Sequence, residues 1–287
     1  MARYRAINPF LQAVLGPLIL CAAGSVNAQL PLNIEEMLVQ PATMKLEMGT
    51  AFGHIEEAVA VVGSNSRGVA LALERRDLEL AALTARLRYG LSSTVELSSG
   101  FRVDQLHMRQ RAIADESQNS QVVDIGVNWL VSRDGQTPAL LLQFGADVAG
   151  DAAPGAEERV YGGALRLAAT VYRAMDPVVL SLAAGYEYRR RRSIGDLKLD
   201  PGDTAWVIPQ INFAVNERVT LIGGFGVYFR QADELHALPR GERQTLTTLR
   251  LGSGVALGRH STLFLGGDFA ASGQRSARFA LDWIYRF

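Results

Sequence analysis

FALDWIYRF (279–287) closes the chain, and its alternation decides the fold. One face carries Phe279, Leu281, Trp283, Tyr285 and Phe287, and the other carries Ala280, Asp282, Ile284 and Arg286. A period of two is the signature of a strand with one face in an apolar medium and one face in a different one. Here the apolar face is the larger and mostly aromatic. Taken alone, the segment fits the last strand of a soluble sandwich or a strand that faces lipid, and the rest of the chain has to choose between them.

The other end carries Arg3 and Arg5, an apolar run over 10–23, and then Ser25, Val26, Asn27 and Ala28. Charged, apolar and small-residue parts in that order are those of a secretory signal peptide, with cleavage expected after Ala28. Pro17 interrupts the apolar run, which is shorter than the ~20 residues of a membrane-spanning helix. Cys21 is preceded by Leu20, whereas a lipid-anchoring cysteine follows a small residue. Removing 1–28 takes the only cysteine with it, so export needs no disulfide. Lys+Arg and Asp+Glu are equal at 29 each, which argues against a nucleic-acid partner. Beyond the signal no uncharged apolar run reaches the ~18 residues of a helical span. A membrane location therefore requires a closed barrel, because lipid offers no partner to an unpaired backbone group.

Residues 29–41 read as a short helix. Asn33 caps it with Glu36 three residues on, Ile34, Met37 and Leu38 form an apolar stripe, and Pro41 ends it. A tail leading to the first strand is the other reading. From 42 to 287 alternation is punctuated by turn chemistry, and short turns (90–93, 133–138, 175–177, 216–218, 258–260) alternate with longer polar loops (150–158, 190–203, 231–241). Outer-membrane barrels distribute their connections in this way. At ~20 residues per strand and connection the chain holds about 12 antiparallel strands, with both ends on one side. The pattern falters over 69–80, where a long bulged second strand or an extra hairpin, giving 14, would fit. Pro209 alone falls inside a strand, where a bulge is expected.

The face opposite the apolar one carries Lys45, Glu47, Arg86, Arg88, Glu96, Arg102, Asp124, Asp147, Arg166, Glu187, Arg189, Arg250 and Asp282. In a sandwich core so many charges would cost several kcal/mol each. A wet lumen removes that cost, so these residues are expected to line one. Aromatic residues gather at strand ends, Tyr89, Trp129, Phe213, Tyr285 and Phe287 at the turn side and Phe52, Phe101, Tyr188, Phe229 and Phe269 at the loop side. Two such girdles suit the two interfaces of a bilayer.

The closing strand resembles the C-terminal signal of bacterial outer-membrane proteins, which implies that Phe279, Trp283, Tyr285 and Phe287 are read by the barrel-assembly machinery. The runs Arg86–Tyr89–Gly90 with Thr94–Val95–Glu96–Leu97, Asp176–Pro177–Val178–Val179–Leu180 with Gly185–Tyr186, Asp200–Pro201–Gly202–Asp203, and Phe213–Ala214–Val215–Asn216 resemble the outer-membrane transporters named for the meta-pathway of phenol degradation. The same superfamily includes the secretion channel for functional amyloid. The resemblance implies a 12-stranded pore and, in the amyloid exporter, a helix that plugs it; the exporter's long periplasmic coiled coil has no counterpart here.

These readings lead to an outer-membrane channel for small hydrophilic or aromatic solutes. The alternative is a secretion pore for an unfolded polypeptide, gated by 29–41 as a plug with Met37 and Leu38 on an apolar lumen patch and Glu35 and Glu36 paired with Arg86 or Arg88. An enzymatic barrel is the third class. It needs a nucleophile held beside a base, and His54, His107, His236 and His260 all read as lying in or near connections, away from any serine motif. No catalytic residue, cofactor or metal cluster is expected. Expected partners are outer-membrane lipid, lipopolysaccharide at the run Arg189–Arg192, the assembly machinery, the solute or polypeptide carried, and sister chains in a homotrimer.

Overall fold

Alternating side chains let each strand keep its apolar face on one side of a single sheet, and that sheet closes on itself. The computed structural model describes residues 38–65, 68–110, 113–151, 159–194, 197–235, 238–240, 243–272 and 275–287, so the signal segment and most of 29–41 lie outside the described residues. The wall consists of β1 (Met44–Asn65), β2 (Gly68–Gly90), β3 (Val95–Gln110), β4 (Ile113–Ser132), β5 (Ala139–Asp151), β7 (Ala164–Met175), β8 (Val178–Arg189), β11 (Thr204–Ala214), β12 (Val219–Arg230), β15 (Gln244–Ala256), β16 (Ser261–Ser272) and β17 (Arg275–Arg286). Each pairs antiparallel with its neighbours in chain order. Pairing of β1 with β17 and of β4 with β5 completes the ring, and a short strand β6 (Arg159–Tyr161) pairs with the end of β5. The result is a closed 12-stranded antiparallel barrel with no free edge.

Closure is sealed at the chain's end. Lys45 pairs with Arg286 and Leu46 with Tyr285 across β1 and β17, and the Phe287 N–H donates to the Met44 carbonyl at 3.0 Å. Turn chemistry fixes the registers. Ser92 Oγ accepts the Thr94 and Val95 N–H groups, and Asn216 Oδ1 accepts those of Arg218 and Val219.

The apolar face points outward. Phe52, Leu165 and Phe279 are 55, 56 and 56% exposed, while Ala139 and Glu96 on the inner face are fully buried. An inside-out distribution of this kind is stable only with hydrocarbon around it. Leu182→Arg, on the outer face of β8, should therefore cost about 2–4 kcal/mol in lipid. Ser181→Arg, one residue away and facing inward, should cost about 0.5 kcal/mol or less. Unfolding of the refolded variants in denaturant measures both.

Several readings need correction. Residues 69–80 add no hairpin: β2 is one uninterrupted strand that pairs with β1 from Met44↔Tyr89 to Asn65↔Gly68. The charges at 74–77 break the pattern because β1 to β4 run on past the length of the other wall strands. His54 lies within β1, still paired with β17, and His107 lies within β3, so these two histidines lie in strands and not in connections. Pro209 makes no bulge. Val207↔Val227 and Gln210↔Gly224 keep one register, and Ile208 and Pro209 lack partners only on the β12 side. The bulges fall instead at Met108/Gln110, Val123/Asp124, Leu130/Ser132 and Thr247/Thr248. The loops over 190–203 and 231–241 are built in part from short strands, β9 (Arg192–Ile194), β10 (Leu197–Asp200), β13 (Asp233–Leu235) and β14 (Leu238–Arg240), which form a second sheet in the order β14-β13-β10-β9.

Candidate functional site

Because charged residues recur at every second position of neighbouring strands, cross-strand register brings them together inside the barrel. At the end with short turns, Glu96 is fully buried and accepts three hydrogen bonds: from Arg88 Nε at 2.5 Å, Asn128 Nδ2 at 2.6 Å and the Val39 N–H at 2.7 Å. Arg88 also donates to Glu47 at 2.7 Å, and Lys45 is buried close by. The chain ahead of β1 enters the barrel here. Leu38 packs with Leu130 and Leu141, and the Ala42 N–H donates to the Gly90 carbonyl at 2.8 Å. Gly90 has to be glycine, since a Cβ would lie 2.1 Å from the Gln40 carbonyl oxygen. Leu38 and Val39 are buried; Asn33, Glu35, Glu36 and Met37 lie outside the described residues.

Further along, Arg86 meets Asp124 at 3.2 Å, Arg102 meets Asp104 at 2.8 Å, and Arg250 meets Asp268 at 2.8 Å. Nearer the long loops Arg166 bridges Asp147 at 2.6 Å and Glu187 at 2.7 Å, and Arg189 shares Glu187 at 2.6 Å. Each of these wet pairs contributes about 1 kcal/mol or less. Their charges largely cancel, so the lumen is strongly polar with little net field. A cavity of about 490 Å³ opens among them, lined by Arg102, Asp147, Arg166, Arg189 and Asp282 and also by Arg192 and Arg278.

The opposite wall differs. On β11, β12 and β16 the inward positions include Trp206, Ile208, Ile222, Tyr228 and Phe264. Trp206 lies flat on the wall because Gly185 beside it has no Cβ, which would come within 2.3 Å of the indole. The lumen is thus charged over β1 to β8 and more apolar over β11 and β12, with the Arg250–Asp268 pair on β15 and β16 beyond them.

The run Arg189–Arg192 does not act as one patch. Arg189 and Arg192 line the cavity, Arg190 is exposed with its N–H on the Gly163 carbonyl, and Arg191 bonds Asp200. Arg192 reaches inward from β9, a loop strand. Burial first and then the charge of Arg189 pull its pKa below the ordinary guanidinium value, although an arginine stays charged in a protein.

No family model and no curated protein matches the chain. Among solved structures it is similar to the COG4313 outer membrane channel from Pseudomonas putida F1, at 12% identity and a TM-score of 0.64, over 87% of this chain and 97% of that one. The translocator domain of the autotransporter NalP from Neisseria meningitidis aligns at 12% identity and a TM-score of 0.56, over 97% of this chain and 94% of that one. The TodX monoaromatic hydrocarbon channel, in a deletion mutant, aligns at 9% identity and 0.51, covering 92% and 96%. The fold is that of an outer-membrane β-barrel. It is the fold implied by the resemblance of the sequence motifs, and it places the barrel in the bacterial outer membrane. The turn end, where β1 begins and β17 ends, is then periplasmic and the loop end external.

One grouping escapes the sequence. Where β1 and β2 extend beyond the lipid-facing belt, register brings ligand atoms of His54, Glu56 and Asp77 within 4.8 Å of one another on the outer face. The sequence reading expects no metal cluster, since 54–56 and 77 are far apart in the chain until pairing joins them.

Proposed function

We propose that the barrel is a channel for small solutes, closed at its periplasmic end by its own N-terminal segment. The observation that carries this reading is the polar, charge-balanced lumen with Leu38 and Val39 buried at one end of it. Solutes would cross between the compensated arginines and the apolar wall, shedding little water at any one place. The segment from 29 to 41 then acts as a displaceable stopper. Leu38 fills an apolar notch made by Leu130 and Leu141, and Val39 is tied by a single backbone bond to Glu96. Arg88 is already engaged by Glu47 and Glu96, so Glu35 and Glu36 find a freer partner in Arg86, half exposed and held by one bond to Asp124.

Deleting 29–41 should raise single-channel conductance in planar bilayers several-fold and admit larger sugars in liposome swelling. Equal conductance with and without the segment would reduce it to a tether and remove the gated reading. A second reading, a pore for an unfolded polypeptide, draws on one feature: the barrel accommodates its own chain at 38–41 beside the wall. An exporter would leave the truncated protein open to sugars yet bind peptide at the periplasmic side, so peptide block of the truncated channel separates the two.

A further inference from the structure

Of the arginines lining the cavity, Arg102, Arg166 and Arg189 are paired with carboxylates, whereas Arg192 and Arg278 make no ion pair within 4.0 Å among the described residues. Arg192 goes further. Its Nε is buried and has no hydrogen-bond partner. A buried guanidinium donor without an acceptor loses its bonds to bulk water and gains none in return. Acids that could approach it are committed elsewhere. Asp147 is held by Arg166, and Asp233 accepts from Arg230 and from the Gly202 N–H. Arg189, its like-charged neighbour, is bound to Glu187. Arg278 projects from β17 on the other side of the same cavity, and the carboxylate opposite it in register, Asp268, is bonded to Arg250.

We propose that this external cavity is a recognition subsite for a small organic carboxylate, with Arg192 and Arg278 as its two charge partners. The proposal rests on the channel reading and names the class of solute it would select. Arginine is suited to the task because its planar fork matches a carboxylate with two parallel hydrogen bonds. An incoming carboxylate would neutralise the two positive charges that Arg192 and Arg278 leave over at this cavity. Asp282, which carries no ion pair among the described residues, lies four residues further along the same strand as Arg278, toward the end with short turns. An anion held at the mouth therefore meets a negative group further in, which keeps binding weak enough for release. Arg192 comes from loop strand β9 and not from the wall, so selectivity is set by a part that can change without altering the barrel.

Benzoate serves as the probe, with benzyl alcohol and benzylamine as neutral and cationic isosteres. Calorimetry on the full-length protein in detergent should give saturable benzoate binding that neither isostere reproduces. Arg192→Gln and Arg278→Gln should each weaken it about ten-fold or more, while Arg192→Lys keeps part of it. Arg191→Gln, next in sequence but bonded to Asp200 outside the cavity, should bind as the wild type does. Heat-modifiable mobility on gels shows that each variant is folded. In bilayers the same concentrations of benzoate should reduce the current of the wild type and spare that of Arg192→Gln. Absence of benzoate binding, or equal binding of benzylamine, overturns the subsite whether or not the protein conducts. Benzoate binding without any conductance overturns the channel reading and leaves the subsite standing.

Discussion

Glu96→Ala is expected to destabilise the refolded barrel by about 3–5 kcal/mol, the usual cost of removing one member of a buried charged pair. Glu96 is fully buried and is the shared acceptor for Arg88, Asn128 and the Val39 N–H. Alanine takes one of the two carboxylates from Arg88 and strips Asn128 and Val39 of their acceptor at once. Glu96→Gln keeps the shape but replaces an acceptor-only group by one that also donates toward three donors, so it should recover only part of the loss. Urea unfolding followed by tryptophan emission gives the free energies. Limited proteolysis of the folded variants should in addition cut ahead of residue 41 much faster than in the wild type. A loss below about 1 kcal/mol, with unchanged proteolysis, would mean that the cluster is incidental to both stability and closure.

Removing Phe287 should lower the amount of assembled barrel in cells at least ten-fold. Its N–H makes the last closing bond to Met44, its ring packs edge-on against Tyr285 at 5.1 Å, and Trp283 lies next in the row at 5.7 Å from Tyr285 with its Nε1 on Ser261 Oγ. The deletion removes an interfacial anchor and the terminal residue of the strand on which β1 must close. Leu257→Ser, which removes an apolar side chain of similar exposure at the same periplasmic end, should assemble nearly as well as the wild type. Wild-type amounts of heat-modifiable protein from the Phe287 deletion would count against recognition of this strand end.

The wall strands are legible because lipid and water lie on opposite sides of a single sheet, so every strand repeats the same period. Residues such as Leu265 and Phe225, outward and half exposed, announce their face without any knowledge of their neighbours. Partnerships are a different matter. That Glu96 would meet Arg88, Asn128 and Val39 depends on register between β2, β3 and β4 and on where the chain ahead of β1 turns inward, and no local pattern encodes either. Arg192 is read as part of a charged loop because the second sheet that orients it joins two loops distant in sequence. Residues 69–80 mislead for a simpler reason. Period two with one apolar face holds only while one face is in lipid, and β2 has left the membrane there.

The unequal strand lengths also set what can be reached from outside the cell. β1 has 22 residues against 12 in β8, and ten extra residues on a tilted strand raise that side of the wall by roughly 25 Å. β1 and β2 carry this extension to its tip, paired from Glu57↔Arg76 to Asn65↔Gly68, while β3 with 16 residues ends lower, so it stands as a paired palisade and not as a loose loop. A bacteriophage fibre or an antibody too large to reach the mouth could still grip the palisade's edge, which stands above the wall built by the shorter strands.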